Sequence, residues 1–188
     1  MTPRLVTPQL VTCLRQRFSL RWHGIHGASH WARVRWNGLA LSERTGANRT
    51  VVELFAMVHD VCRDNDSHDP LHGARAAQFL QQLRGSVISI SDTEAKLLAY
   101  ACTHHSDGHT EADVTVQTCW DADRLEIGRV GMMIIPSRLC TEAARDPELM
   151  DWADRRARHN VIPSWITTIW TPPAPPPPSN VETAPGLP

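Results

Sequence analysis

At 188 residues the chain is long enough for one domain with an apolar core of its own, without disulfides or a structural metal to hold it together. It is 41% hydrophobic and 21% charged with a formal net charge of −1, the proportions of an ordinary water-soluble domain, and these argue against a global basic field for nucleic acid. Five scattered cysteines (Cys13, Cys62, Cys102, Cys119 and Cys140) form no CxxC pair, which speaks against a zinc ribbon or a disulfide framework and predicts reduced, mostly buried thiols.

The N-terminal MTPRLVTPQLVTCLRQRF has neither a long apolar core nor a small-residue cleavage site, so it reads poorly as a secretion signal. No run approaches the roughly 18 apolar residues of a membrane span. The expectation is a soluble, cytoplasmic chain with no membrane partner. Pro8 to about Arg17 predicts a short amphipathic helix. Ser29 is placed to cap a second helix running to about Arg44, where Gly46 stops it. Asn48 or Thr50 then opens VVELFAMVHDVC, apolar on nearly every side and so suited to the middle of a bundle. Asp69-Pro70 reads as a cap and first-turn proline for PLHGARAAQFLQQL, and Ser91 with Glu94 as a capping box for AKLLAYACTHH. Thr115 starts TVQTCWDADRLEIGRV and Pro147 starts PELMDWADRRARH. Strand-like pieces are confined to 87–90 and 132–135. Six or seven helices with short connections predict an all-α bundle over residues 1–165. Residues 171–188, rich in proline, cannot form helix or central strand and predict an extended tail.

The informative residues are polar ones embedded in apolar helices. His59 and Asp60 close the VVELFAMVHD helix, where a buried carboxylate without a partner costs several kcal/mol. His30 lies near the start of its own helix, and Asp123 sits within CWDADRLEIG. Donors on separate helices converge inside bundles, where metal sites form. Singly, each residue has a plain structural reading: His30 as a helix-start or surface residue, Asp60 paired with Arg63, and Asp121 or Asp123 solvated or paired with Arg124.

Together, these residues resemble the HD superfamily of metal-dependent phosphohydrolases, whose signature is H…HD…D. His30 begins HWARV, His59-Asp60 ends an apolar helix and is followed by a basic residue, and Asp123 lies in ADRL. The resemblance spans roughly residues 25 to 130. It implies an HD-domain-like bundle in which His30, His59, Asp60 and Asp123 hold one divalent cation with positions open for water and a phosphate oxygen. Such an ion lowers the pKa of its water and neutralises charge developing on phosphorus. The nitrogen and oxygen donors suit manganese, iron, cobalt, nickel, zinc or magnesium.

Some HD proteins add two histidines between the dyad and the last aspartate, and bind a second metal there. His72 and either His104 or His105 fall in that interval, with His105 preferred because it adjoins the loop where the helix opens. These histidines otherwise serve to bind substrate or move protons; their plain readings are a first-turn surface residue and a C-terminal cap. His26, in GIHGASHW, reads as a pocket-rim residue. Arg63 is suited to grip a phosphate, or to pair with Asp64 or Asp66. Arg124 and Arg129 flank Asp123 as further phosphate binders. The acidic loop RDNDSHDP lacks the glycine and terminal glutamate of an EF-hand. Trp31 and Trp120 adjoin proposed ligands and either wall the pocket or, more in keeping with their size, pack the core.

The expected activity is hydrolysis of a phosphate ester or anhydride in a nucleotide or other small phosphorylated metabolite. His72 and His105 act with Asp60 in catalysis, and Arg63, His26, Arg124 and His104 meet the substrate. The rivals are a two-iron oxygenase of the same superfamily and a non-catalytic regulatory or scaffold module.

Overall fold

The computed structural model describes residues 5–163. These form seven α-helices and two short 3-10 turns, with no strand among the described residues. The all-α expectation holds, and the differences lie at the helix ends.

Helix α1 (Pro8–Arg17) starts where Thr7 accepts the Leu10 amide and Pro8 fills the first turn, a position that needs no donor. Helix α2 (Ala28–Thr45) begins one residue before Ser29, with Gly27 as an extended cap that makes no side-chain bond, so Ser29 is buried in the first turn and is not the cap. Helix α3 (Arg49–Val58) is capped by Asn48, whose side chain accepts the Val51 amide, and every residue from Val51 to Val58 is buried. It ends short of Cys62, and the chain turns at His59-Asp60. Helix α4 (His72–Leu83) starts later than Asp69-Pro70. The Asp69 carboxylate is occupied by the Asp64 amide at 2.9 Å and by Arg75 at 2.6 Å, so it ties the preceding loop instead of capping the helix.

Helix α5 (Asp92–His104) carries the full capping box of Ser91 and Glu94. Helix α6 (Val114–Arg124) is capped by Asp113 and not by Thr115, because the Asp113 carboxylate reaches the Thr115 amide at 2.8 Å. It also stops at Arg124, and Ile127–Val130 forms a separate 3-10 turn. Helix α7 (Pro147–Arg158) starts at Pro147 with Asp146 as its cap. The strand-like pieces make no ladder: 87–90 contributes one isolated bridge, Arg84 to Ile88, and 132–135 is irregular. The first lies within the α4–α5 connection and the second between the two 3-10 turns, so neither gains a partner strand.

Helix α2 packs on α3 and α6, α4 on α5, and α3 lies against α5 and α6 in the centre. Two glycines set how closely they approach. A side chain at Gly38 would meet Val52 Cγ1 at 2.5 Å, so α2 and α3 touch there; at Gly73 it would meet the Cys102 carbonyl at 2.1 Å, so α4 lies directly on α5. Trp31 and Trp120 are fully buried, the first edge-on to Phe18 and Trp22, the second donating its indole N–H to the Ala101 carbonyl at 3.0 Å. Both are core residues, not pocket walls. All five cysteines are free; Cys62, Cys102 and Cys119 are buried, and burial pushes these thiols up. Among the described residues no helix is long and apolar enough to cross a membrane. The proline-rich 171–188 segment lies outside the described residues.

Candidate metal centre

Five helix ends meet at one end of the bundle. Helices α2 and α3 run back and forth through the short Gly46–Asn48 link, which brings His30, in the first turn of α2, beside His59 at the end of α3. Helices α4 and α5 repeat the arrangement, setting His72 at the start of one against His105 at the end of the other. Asp123, in the last turn of α6, completes the ring, and Asp60 sits in the turn after α3.

The two aspartates face four imidazoles. His30 Nε2 and His59 Nε2 stand 3.1 Å apart, and each is 3.6 Å from Asp60 Oδ2. Asp123 Oδ1 lies 3.2 Å from His30 Nε2 and 3.7 Å from His59 Nε2. On the other side, His72 Nε2 and His105 Nε2 are 2.8 Å apart and lie 3.1 and 3.6 Å from Asp60 Oδ1. Asp60 thus turns one oxygen to each histidine pair. Overlapping triads of these six residues have donor atoms close enough to hold metal ions.

The outer nitrogens explain why the inner ones face each other. His59, His72 and His105 each point Nδ1 at a carbonyl: Phe55 at 3.1 Å, Asp69 at 2.5 Å and Cys102 at 2.7 Å. A carbonyl only accepts, so Nδ1 carries the proton, and in the neutral ring Nε2 is left with a bare lone pair. Facing lone pairs at 2.8 Å repel unless a cation or proton lies between them, and Asp123 Oδ1 is buried without a hydrogen-bond donor. A nitrogen and oxygen donor set with an orphaned carboxylate oxygen therefore fits a divalent cation.

The buried imidazoles and carboxylates shift one another. Burial lowers the His59 pKa to about 3, against the opposing pull of Asp60 and Asp123. Burial raises the carboxyls of Asp60 and Asp123, but the histidines beside them outweigh it: His59, His105 and His72 hold Asp60 well below its ordinary value, and His30 and His59 lower Asp123. Burial likewise lowers His105, yet the bond to Asp60 prevails and raises it.

Other expected residues lie elsewhere. His104 turns outward, 2.8 Å from Asp107 in an exposed group with His109, so of the two adjacent histidines only His105 reaches the centre. His26 is buried and bonded to Asp66 at 3.0 Å, not open at a rim. Arg63 pairs with neither Asp64 nor Asp66. Its Nε donates to Asp60 Oδ1 at 2.9 Å and its Nη1 to the carbonyls of Asn65 and Ser67, so it steadies Asp60 from outside. Arg124 is tied to the carbonyls of Arg138 and His109, and Arg129 to those of Ile25 and Glu126. Asp121 is fully buried and accepts from the Cys140 amide and from the amide and hydroxyl of Thr141, so it latches that loop instead of pairing with Arg124.

Two residues that support the centre escape sequence reasoning. Glu126, fully buried, receives His30 Nδ1 at 3.3 Å, and Arg33 donates Nε to both Glu126 oxygens at 3.0 Å. Arg33 in turn donates to Asn160, which fixes it against the chain beyond α7. The available signal was spacing: Arg33 follows His30, and Glu126 follows Asp123, by about one helical turn.

Two openings flank the centre. A recess of about 290 Å³ is lined by Arg63, Ser67, His68 and His72 among others, and a cleft of about 540 Å³ runs past His105 and Asp123. No protein-family model, curated protein sequence or solved structure matches the chain.

Proposed function

We propose that the chain is a metal-dependent phosphohydrolase of the HD type, acting on a phosphate ester or anhydride of a nucleotide or other small metabolite. The observation that carries this reading is the carboxylate of Asp60 set between two histidine pairs, with Asp123 closing the first. His30, His59, Asp60 and Asp123 would hold one divalent ion, and Asp60, His72 and His105 a second. When bound, such ions supply Lewis acidity toward a phosphoryl oxygen and lower the pKa of water.

The chain's own groups do the rest. The ring of helix ends excludes bulk solvent, so charge–charge interactions inside it are strong. Arg63 fixes one edge of Asp60, and Glu126 fixes the orientation of the His30 ring. His105 borders both Asp60 and the cleft, which suits it to hold the proton that a leaving oxygen requires when no second ion occupies its nitrogen. The test is a panel of nucleotides and p-nitrophenyl phosphate assayed with Mn²⁺ on the wild type and on Asp60→Ala. Metal-dependent turnover lost in the variant supports the reading, and equal turnover in both refutes it.

The second histidine pair favours one alternative, a two-iron oxygenase. Elemental analysis of protein purified without chelator or histidine tag separates the two. Two irons per chain with an optical band would favour the oxygenase, and manganese, nickel or cobalt the hydrolase.

A further inference from the structure

The six donors do not reach solvent equally. The side chains of His30, His59, Asp60, His72 and His105 are 0–4% exposed, whereas that of Asp123 is 19% exposed. Among the described residues the centre is therefore most open past Asp123, and the space on that side is the cleft that Asp123 shares with His105. Its far wall is Ile127, Met132, Met133, Ile134, Ile135 and Leu139.

This wall is unusual for a surface. Met132, Met133 and Ile135 are 53, 76 and 44% exposed, consecutive or nearly so, on an irregular stretch between two 3-10 turns. Adjacent large apolar side chains left in water oppose the hydrophobic effect, and on a concave surface that leads to polar donors they mark a ligand pocket. Methionines add adaptable, polarizable surface of the kind that accommodates flat or branched groups. The polar groups of the cleft are largely committed. Arg124 donates to two carbonyls and a cysteine sulfur, and Asp107 is paired with His104. Ser106 and Arg138 remain, both at the exposed margin. A ribose or sugar needs buried donors and acceptors beside it, and this wall supplies apolar carbon instead.

We infer that the cleft receives the apolar organic part of the substrate, so that the centre acts on phosphate esters whose alcohol is aromatic or bulky and aliphatic. This rests on the proposed phosphohydrolase reading for its reaction, but the binding surface can be tested without turnover. 1-Naphthylphosphonic acid and methylphosphonic acid carry the same head group on a carbon–phosphorus bond that hydrolysis does not break. With the purified, metal-loaded full chain, calorimetry is expected to show the naphthyl compound binding about tenfold tighter or more, since its rings bury apolar area that the methyl group lacks. The double variant Met133→Asn, Ile135→Asn, at positions too exposed to carry the core, should reduce that preference to less than about threefold. Equal affinity of the wild type for both compounds, or a preference that survives in the double variant, overturns the assignment of the cleft. The two readings fail separately. Hydrolysis of p-nitrophenyl phosphate without discrimination between the phosphonates sinks the cleft alone. Discrimination lost in the double variant, in a chain that hydrolyses no phosphate ester, upholds the cleft and sinks the reaction.

Discussion

The two halves of the donor cluster share Asp60 yet are supported differently. In the half formed by α2, α3 and α6, His30 leans on a buried carboxylate, Glu126, itself gripped by Arg33. In the half formed by α4 and α5, both histidines lean on main-chain carbonyls, those of Asp69 and Cys102. A carboxylate behind an imidazole makes it a better donor than a carbonyl does, because negative charge develops at the second nitrogen. The first half also has a second aspartate. On the proposed reading, this half is expected to be the tighter metal site and the α4–α5 half the weaker one, filled second and emptied first.

Removing the shared residue breaks the comparison altogether. Asp60→Ala is expected to abolish binding in both halves and to lower turnover about a thousandfold, read by elemental analysis and by phosphatase assay. His72→Ala should be selective, reducing a two-ion preparation to one ion per chain, whereas His30→Ala should remove the first ion. If both variants lost metal equally, the halves would not be independent. Glu126→Gln keeps the shape but removes the charge, and should weaken the first half about 10- to 100-fold in competition with a chelator while sparing the second.

Gly73→Ala attacks the second half through the backbone. With no room for a methyl against the Cys102 carbonyl, α4 must move off α5, separating His72 from His105 at a cost of about 1–3 kcal/mol in urea unfolding. The smallest effect lies away from both halves. Ser91→Ala should cost about 1 kcal/mol of stability with metal content unchanged. The Ser91 amide and hydroxyl lower the Glu94 pKa. The part carried by the Glu94 carboxylate is thus complete above the ordinary carboxylate pKa and fades as pH falls through the lowered one, so the gap between wild type and variant should narrow in acid without closing, because the Ser91 hydroxyl still accepts the Glu94 amide.

Much of this was legible along the chain. The apolar run of α3, the capping box of α5 and the proline start of α7 are local signals, and local propensity decides them. His30, His59, Asp60 and Asp123 stood out because charged or polar groups in apolar helices need compensation, and the fold sets both aspartates within 3.7 Å of the two histidine nitrogens. Where the reading slipped, a contact distant in sequence or a competing local bond had claimed the side chain. Asp69 was drawn from its cap by Arg75 and the Asp64 amide, and Asp121 from Arg124 by the Cys140–Thr141 loop, whereas the pair that Arg63 makes with Asp60 is the plain reading of those two residues.

The sequence by itself determined an all-helical body and the kind of donors it would bury, because periodicity and the cost of a buried charge are written in neighbouring residues. Only the tertiary structure decided between His104 and His105, enlisted Glu126 and Arg33, and opened an apolar cleft beside Asp123. These depend on which side chains meet across helices, and that is set by close approaches such as Gly38 on Val52 and Gly73 on Cys102.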